Sequence, residues 1–194
     1  SFGEKTIVPD RYNEFRVGLS RTSTDHTAEI ELHVRVYDEA VAFRFHIPMG
    51  MPKTVRQAIV ADRVEFNVPK GAHAYYSNYA QGAYARTPLS NWSQPAEPPL
   101  TLELADGGQW VSILEAAQMD FAHMTLELEA EDRLVSQLDG NVVIPHAPYD
   151  LPWRVVMVAD RPGDLLERNY ILLNLNPPSE LEDTGWIKPG RVIM

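Results

Sequence analysis

Residues 29–47 read Glu29-Ile30-Glu31-Leu32-His33-Val34-Arg35-Val36-Tyr37-Asp38-Glu39-Ala40-Val41-Ala42-Phe43-Arg44-Phe45-His46-Ile47. Ile30, Leu32, Val34 and Val36 alternate with charged residues, and Val41, Phe43, Phe45 and Ile47 alternate with Ala42, Arg44 and His46. A strand turns successive side chains to opposite faces, so each half has one buried face and one wet face. Tyr37-Asp38-Glu39-Ala40 is a short polar connection, and the whole reads as a hairpin.

The same period runs outward from this hairpin. Phe15, Val17 and Leu19 alternate before it, and Val64, Phe66 and Val68 after it. Leu100, Leu102 and Leu104 form another strand pattern. Asp106-Gly107-Gly108 then turns the chain into Trp110–Leu114, glycine tolerating the positive φ of tight turns. Met124–Leu128 and Leu134–Leu138 continue the series, the latter closed by Asp139-Gly140-Asn141. Trp153–Val158 and Ile171–Leu175 are continuous apolar runs, which suit strands buried on both faces. Helical signal is confined to one turn within Glu115–Met124 and a capped turn at Asp164-Leu165-Leu166-Glu167. Many short strands with Gly, Pro and Asn punctuation predict an all-β antiparallel sandwich. Residues 87–99 carry four prolines and read as one long loop.

The 194 residues suit one layered domain. Lys and Arg number 17 against 27 Asp and Glu, a formal charge of −10. That balance argues against nucleic acid, since neutralising phosphates takes clustered basic residues. No apolar run reaches the ~18 residues of a membrane span. Cysteine is absent, which excludes disulfides, zinc–thiolate sites and a cysteine nucleophile. The chain starts at Ser1 without a basic and apolar leader, and a processed or truncated product is expected. Nucleophile-elbow, phosphate-loop and dinucleotide signatures do not occur. The six histidines show no ligand spacing, and His33 and His46 read as wet-face residues.

Between Thr87 and Asp132 there is no Lys or Arg, while nine acids lie there. Glu103, Glu127 and Glu129 alternate with leucines and read as solvated strand faces. Glu115 differs: it ends the apolar run Trp110–Leu114 and precedes Ala116-Ala117. Burying an ionised carboxylate is costly unless it is paired or coordinates a metal. Either the chain bends Glu115 into solvent, or it meets a cation. A hard cation such as calcium takes roughly six to eight oxygens, and no compact carboxylate loop here supplies them. Tyr75, Tyr76, Tyr79, Tyr84 and Trp92 crowd one stretch with Asn78 and Asn91. Rings and amides of this kind hold sugars, with Asn78 and Tyr79 the candidate contacts; rings packed as a lid on the core are the plainer reading.

Several segments together resemble the N-terminal domain of glycoside hydrolase family 97. They are Tyr12-Asn13-Glu14, residues 36–45, Ile113-Leu114-Glu115-Ala116-Ala117 with Asp120-Phe121 and Met124, Trp153-Arg154-Val155, residues 159–167, Asn174-Leu175-Asn176 and residues 186–193. The resemblance runs over almost the whole chain. It implies a bacterial, largely periplasmic, exo-acting α-glucosidase or α-galactosidase acting on oligosaccharide. The N-terminal domain would be a large super-sandwich of the galactose mutarotase-like type. A (β/α)8 barrel bearing the catalytic carboxylates would follow, then a small C-terminal β domain. The glutamate of the family's Glu-Ala-Ala segment is a calcium ligand and falls on Glu115. Phe121 stands where the family has Tyr.

On this reading residues 1–194 are the sandwich, with 177–194 the linker toward the barrel. The sandwich is expected to lack its early strands, leaving unpaired edges that favour a homo-oligomer. No catalytic residue is expected in this chain, and the calcium site would be completed by the barrel. The alternative is a free-standing carbohydrate-binding or interaction module. A mutarotase-like enzyme is disfavoured because no convincing acid–base pair is present.

Overall fold

A computed structural model describes residues 7–24, 27–49, 58–93, 95–105, 108–140, 146–188 and 190. Among them a nine-stranded sheet carries the neighbour order β1 (Asn13–Thr22), β2 (Thr27–Val36), β3 (Ala40–Ile47), β12 (Trp153–Ala159), β8 (Trp110–Ala116), β7 (Leu100–Glu103), β5 (His73–Tyr76) and β6 (Ala85–Pro88). The short β11 (Tyr149–Asp150) also pairs with β3. A second, three-stranded sheet runs β4 (Glu65–Asn67), β10 (Arg133–Leu138) and β9 (Met124–Ala130). Every pairing is antiparallel.

The opening hairpin forms as its alternation requires, Tyr37 N–H donating to Ala40 O at 2.8 Å across the turn. Register then sorts the sheet into two faces. On one face Leu100, Leu102, Ile113, Ala74 and Tyr76 meet Met124, Leu126 and Leu134 of the second layer in a continuous core. On the other, Ala42, Ala116, Trp153, Val155 and Met157 pack beneath two short helices, α1 (Pro162–Glu167) and α2 (Tyr170–Leu175). The architecture is therefore an all-β sandwich, its small second layer set over one half of a wide sheet.

The other half is open. Phe15, Val17 and Leu19 of β1, Ile30 and Leu32 of β2, and Val41, Phe43 and Phe45 of β3 share the face that carries Ile113 farther across the sheet. None of them belongs to either buried core. The reverse side of the same strands carries Glu14, Arg16, Glu31, His33, Arg35, Arg44 and His46.

Several details depart from the sequence expectations. Ile171–Leu175 lies in α2, not a strand. A five-residue apolar run has no period that separates a buried strand from a buried helix, and packing decides. The helical turn at Asp164 forms but is longer, α1 starting at Pro162, where proline's missing N–H costs nothing; Asp164 lies within its first turn and does not cap it, the N-cap being Arg161 without a side-chain cap bond. Glu115–Met124 holds no helical turn; Ala117 and Asp120 take positive φ of 53° and 54° there. His33 is buried, its ring stacked on His46 with centroids 5.2 Å apart. The 87–99 loop is packed, with Leu89, Trp92 and Ala96 in the core. Asp106, Gly107, Asn141 and His26 lie outside the described residues, so the two predicted turns are only partly seen.

Leu126 is fully buried between the layers. Leu126→Ala is expected to cost about 2–5 kcal/mol, and Val17→Ala on the open half under about 1 kcal/mol. Urea unfolding midpoints of the two variants check the contrast.

Candidate functional site

β8 and β12 are neighbours, with Arg154 directly opposite Glu115. Directly opposed residues project to the same side of a sheet, so guanidinium and carboxylate meet under the second layer. Arg154 Nη1 donates to Glu115 Oε1, and Nη2 donates to Asp62 Oδ2. Asp62 arrives on the segment leading into β4. Ser136 Oγ donates to the Asp62 carbonyl at 2.8 Å and accepts the Val64 N–H at 2.7 Å, fixing that backbone to β10. The second carboxylate oxygen, Glu115 Oε2, accepts the Met124 N–H at 3.0 Å.

The Arg154 side chain is 2% exposed and that of Glu115 7%. Burial pushes the Glu115 carboxyl above the usual carboxylate range, opposed by the Arg154 charge and the Met124 amide. Two carboxylates face one guanidinium, so the cluster holds one formal negative charge in excess. Such a charge, taken out of water, attracts a further cation. Glu115 also lines a shallow cleft of about 280 Å³ with Glu97, Pro98, Gln118 and His123. No three His, Asp or Glu side chains converge as a complete metal cage among the described residues.

The backbone just past Glu115 is strained. Non-glycine residues rarely adopt the left-handed region, and hold it only where their surroundings fix it. Ala117 N–H donates to Asn176 Oδ1 at 2.9 Å, and Asn176 Nδ2 donates in turn to Leu172 O at 2.6 Å. The Tyr149 hydroxyl donates to Asp120 O at 3.1 Å.

The other candidates divide. Tyr76 and Trp92 stack with centroids 4.4 Å apart and are buried, and Tyr75 packs against Trp110. Tyr76 and Trp92 belong to the core, whereas Tyr75 lies on the outer face, its hydroxyl donating to Glu103 at 3.0 Å. Tyr79 and Tyr84 are exposed. Tyr79 O accepts the Ser77 hydroxyl at 2.6 Å and the Gly82 N–H at 2.8 Å, so its loop is closed on itself. A Cβ on Gly82 would stand 2.4 Å from Ser77 Oγ, so the loop needs glycine there. Asn78 Nδ2 donates to Pro95 O at 2.7 Å and ties that loop to the proline-rich segment.

Four of the nine acids in the acidic stretch pair with bases outside it. Glu103 pairs with Arg86, Glu129 with Arg63 and Arg133, Glu131 with Lys70, and Glu115 with Arg154. Glu115 thus meets a cation, as one branch of the expectation required, and that cation is a guanidinium. Sequence reasoning missed Arg154 and Asp62 as partners. Arg154 had a signal, as the lone charge within the apolar run 153–158; Asp62 had none.

Fold and site together describe a β-sandwich domain that holds an acid at the end of a sheet strand, beside a cleft and under a strained loop. A family model described as Glycosyl-hydrolase 97 N-terminal matches residues 1–178, and the chain belongs to that family, as an N-terminal domain of glycoside hydrolases. Among curated proteins it is similar to a "Probable retaining alpha-galactosidase" of Streptomyces bingchenggensis, 28% identical over 211 aligned residues, covering 96% of this chain and 31% of that protein. It also matches the "Retaining alpha-galactosidase" of Bacteroides thetaiotaomicron, 29% identical over 99 residues, 49% of this chain and 14% of that protein. A solved family 97 enzyme from a Pseudoalteromonas strain, in complex with acarbose, superposes with a TM-score of 0.82 at 27% identity over 93% of this chain and 28% of that one. The chain thus spans less than a third of these relatives.

Arg154→Met leaves Asp62 and Glu115 facing each other without their cation. The expected loss is about 3–5 kcal/mol. Glu115→Gln keeps an acceptor for Arg154 and is expected to cost less, about 1–3 kcal/mol. Chemical denaturation of the two variants side by side checks the order.

Proposed function

We propose that this chain is the non-catalytic N-terminal domain of an exo-acting α-glycoside hydrolase, α-galactosidase or α-glucosidase, whose catalytic carboxylates lie on a barrel outside residues 1–194. Glu115 gives one oxygen ligand to a calcium ion at that active site. The observation that supports this is the excess negative charge of the Asp62–Arg154–Glu115 cluster at the edge of a cleft. The donor chemistry suits a hard cation, which takes oxygen ligands, while Glu115 alone is far short of the roughly six to eight required. The remainder would come from the barrel.

When bound, the ion acts as a Lewis acid and template for substrate oxygens. The chain's own residues have supporting tasks. Arg154 holds the Glu115 carboxylate in one orientation and favours its ionised form. Met124 N–H fixes the second oxygen. Asn176 and Tyr149 hold the backbone of residues 117–120 beside it. The loop carrying Tyr79, tied down through Asn78, offers an exposed ring to sugar. Residues 177–194 lead toward the barrel, in a periplasmic or secreted enzyme acting on oligosaccharide. Among the described residues no helix is long and apolar enough to cross a membrane.

Two measurements test this reading. Residues 1–194 alone are expected to show no turnover of nitrophenyl α-galactoside or α-glucoside; turnover at enzyme-like rates would overturn it. In the polypeptide of the complete gene, Glu115→Gln is expected to raise the calcium concentration for half-maximal activity at least about tenfold, one strong ligand being worth 1.4 kcal/mol or more. An unchanged calcium requirement would sink the assignment of Glu115.

A further inference from the structure

The turn that follows Glu115 is clamped at both ends. Ala117 and Asp120, neither of them glycine, take positive φ of 53° and 54°. Between them Met119 N–H donates to Ala117 O at 3.0 Å and closes a γ-turn centred on Gln118. Asn176 Oδ1 accepts the Ala117 N–H at 2.9 Å at one end. At the other, the Tyr149 hydroxyl donates to Asp120 O at 3.1 Å and lies 3.4 Å from Met119 O. Backbone held in such sparsely populated regions gathers at ligand-binding sites, where it fixes the aim of a side chain. The side chain at this apex is Gln118, exposed and lining the cleft it shares with Glu97, Pro98, Glu115 and His123. The other polar side chains of that cleft are engaged. Glu115 is paired with Arg154, His123 lies 3.2 Å from Asp139, and Glu97 faces His123 at 4.0 Å. The Gln118 amide has no hydrogen-bond partner among the described residues.

We propose that Gln118 is a specificity-determining residue whose side-chain amide hydrogen-bonds a hydroxyl of the sugar at the active site. Such a contact presupposes the α-glycosidase reading and adds to it a place where this domain itself touches substrate. An amide carries donor and acceptor side by side, and a sugar hydroxyl is both acceptor and donor, so the two are complementary. A calcium ion would use only the amide oxygen and leave the NH2 group without an acceptor, since a hard cation takes oxygen ligands. The amide is therefore assigned to the sugar and not to the ion. The clamped turn suits this task, because little backbone freedom remains to be lost when substrate binds.

Steady-state kinetics of the polypeptide of the complete gene, on nitrophenyl α-galactoside and α-glucoside and on their monodeoxy forms, test this. Gln118→Ala is expected to lower kcat/KM on the better glycoside about fivefold or more, the worth of one neutral hydrogen bond. The melting temperature and the calcium concentration for half-maximal activity should not move. On one monodeoxy substrate, the one lacking the contacted hydroxyl, the variant and the unaltered enzyme should agree within about twofold, as a double-mutant cycle requires of a single contact. An unchanged kcat/KM on the parent glycosides would overturn the proposal. So would a loss equal for every monodeoxy substrate, which would place the amide against protein, or a raised calcium requirement, which would place it on the ion. If Gln118→Ala does not fold, Gln118→Met, which keeps the length and loses the polar atoms, carries the same comparison. An enzyme inert toward both glycosides would sink the α-glycosidase reading and this contact with it. An active enzyme indifferent to the substitution would sink the contact alone.

Discussion

Arg154 is the point on which the two layers of this domain agree. Its guanidinium lies almost wholly out of water, reaches Glu115 on the adjacent strand and Asp62 on the segment entering the second layer, and so joins sheet to sheet by charge. A buried arginine tolerates little error in the position of its partners, because each unpaired charge in such a place costs several kcal/mol. The register of β8 against β12, the path of residues 62–64 along β10 and the start of β9 at Met124 all converge on this one group. The hydrophobic cores on either side have no such directionality. They supply most of the stabilisation, whereas the ion cluster fixes how the layers are placed.

The same cluster explains why an acid can sit at the end of an apolar strand. Desolvation drives the Glu115 carboxyl toward its neutral form, and the guanidinium and the Met124 amide oppose that shift and orient the group. An orientation fixed in advance is what a ligand or a substrate contact requires, since little conformational freedom remains to be lost on binding. The negative excess left by two acids on one arginine gives the cleft its polarity.

Much of this was legible in the sequence, and what was not has a physical reason. The strands showed because alternation over residues 29–47 leaves no other amphipathic period, and nine of the twelve strands among the described residues fall on or beside the patterns and apolar runs read from the sequence. Ile171–Leu175 misled because an apolar run carries no period at all, and helix or strand is then decided by what packs on it. The singularity of Glu115 was readable from its apolar neighbours. Its partners were not, because Asp62 lies 92 residues from Arg154 in the chain and is brought there only by the sandwich closing. His33 read as wet because its strand face is polar, yet stacking on His46 and the hydrogen bond to Glu31 take it out of solvent. The aromatic stretch split along its strand: Tyr76 and Trp92 filled the core, and Tyr79, in the turn, stayed outside.

Asn176 gives the domain a mechanical property. Its side chain holds the Ala117 amide with one atom and the last turn of α2 with the other, immediately before Pro177-Pro178 stiffens the chain. Tension or rotation applied along that proline pair is therefore delivered to a backbone already poised in a left-handed conformation, two residues from Glu115. The carboxylate is coupled by a single amide to the posture of whatever follows it.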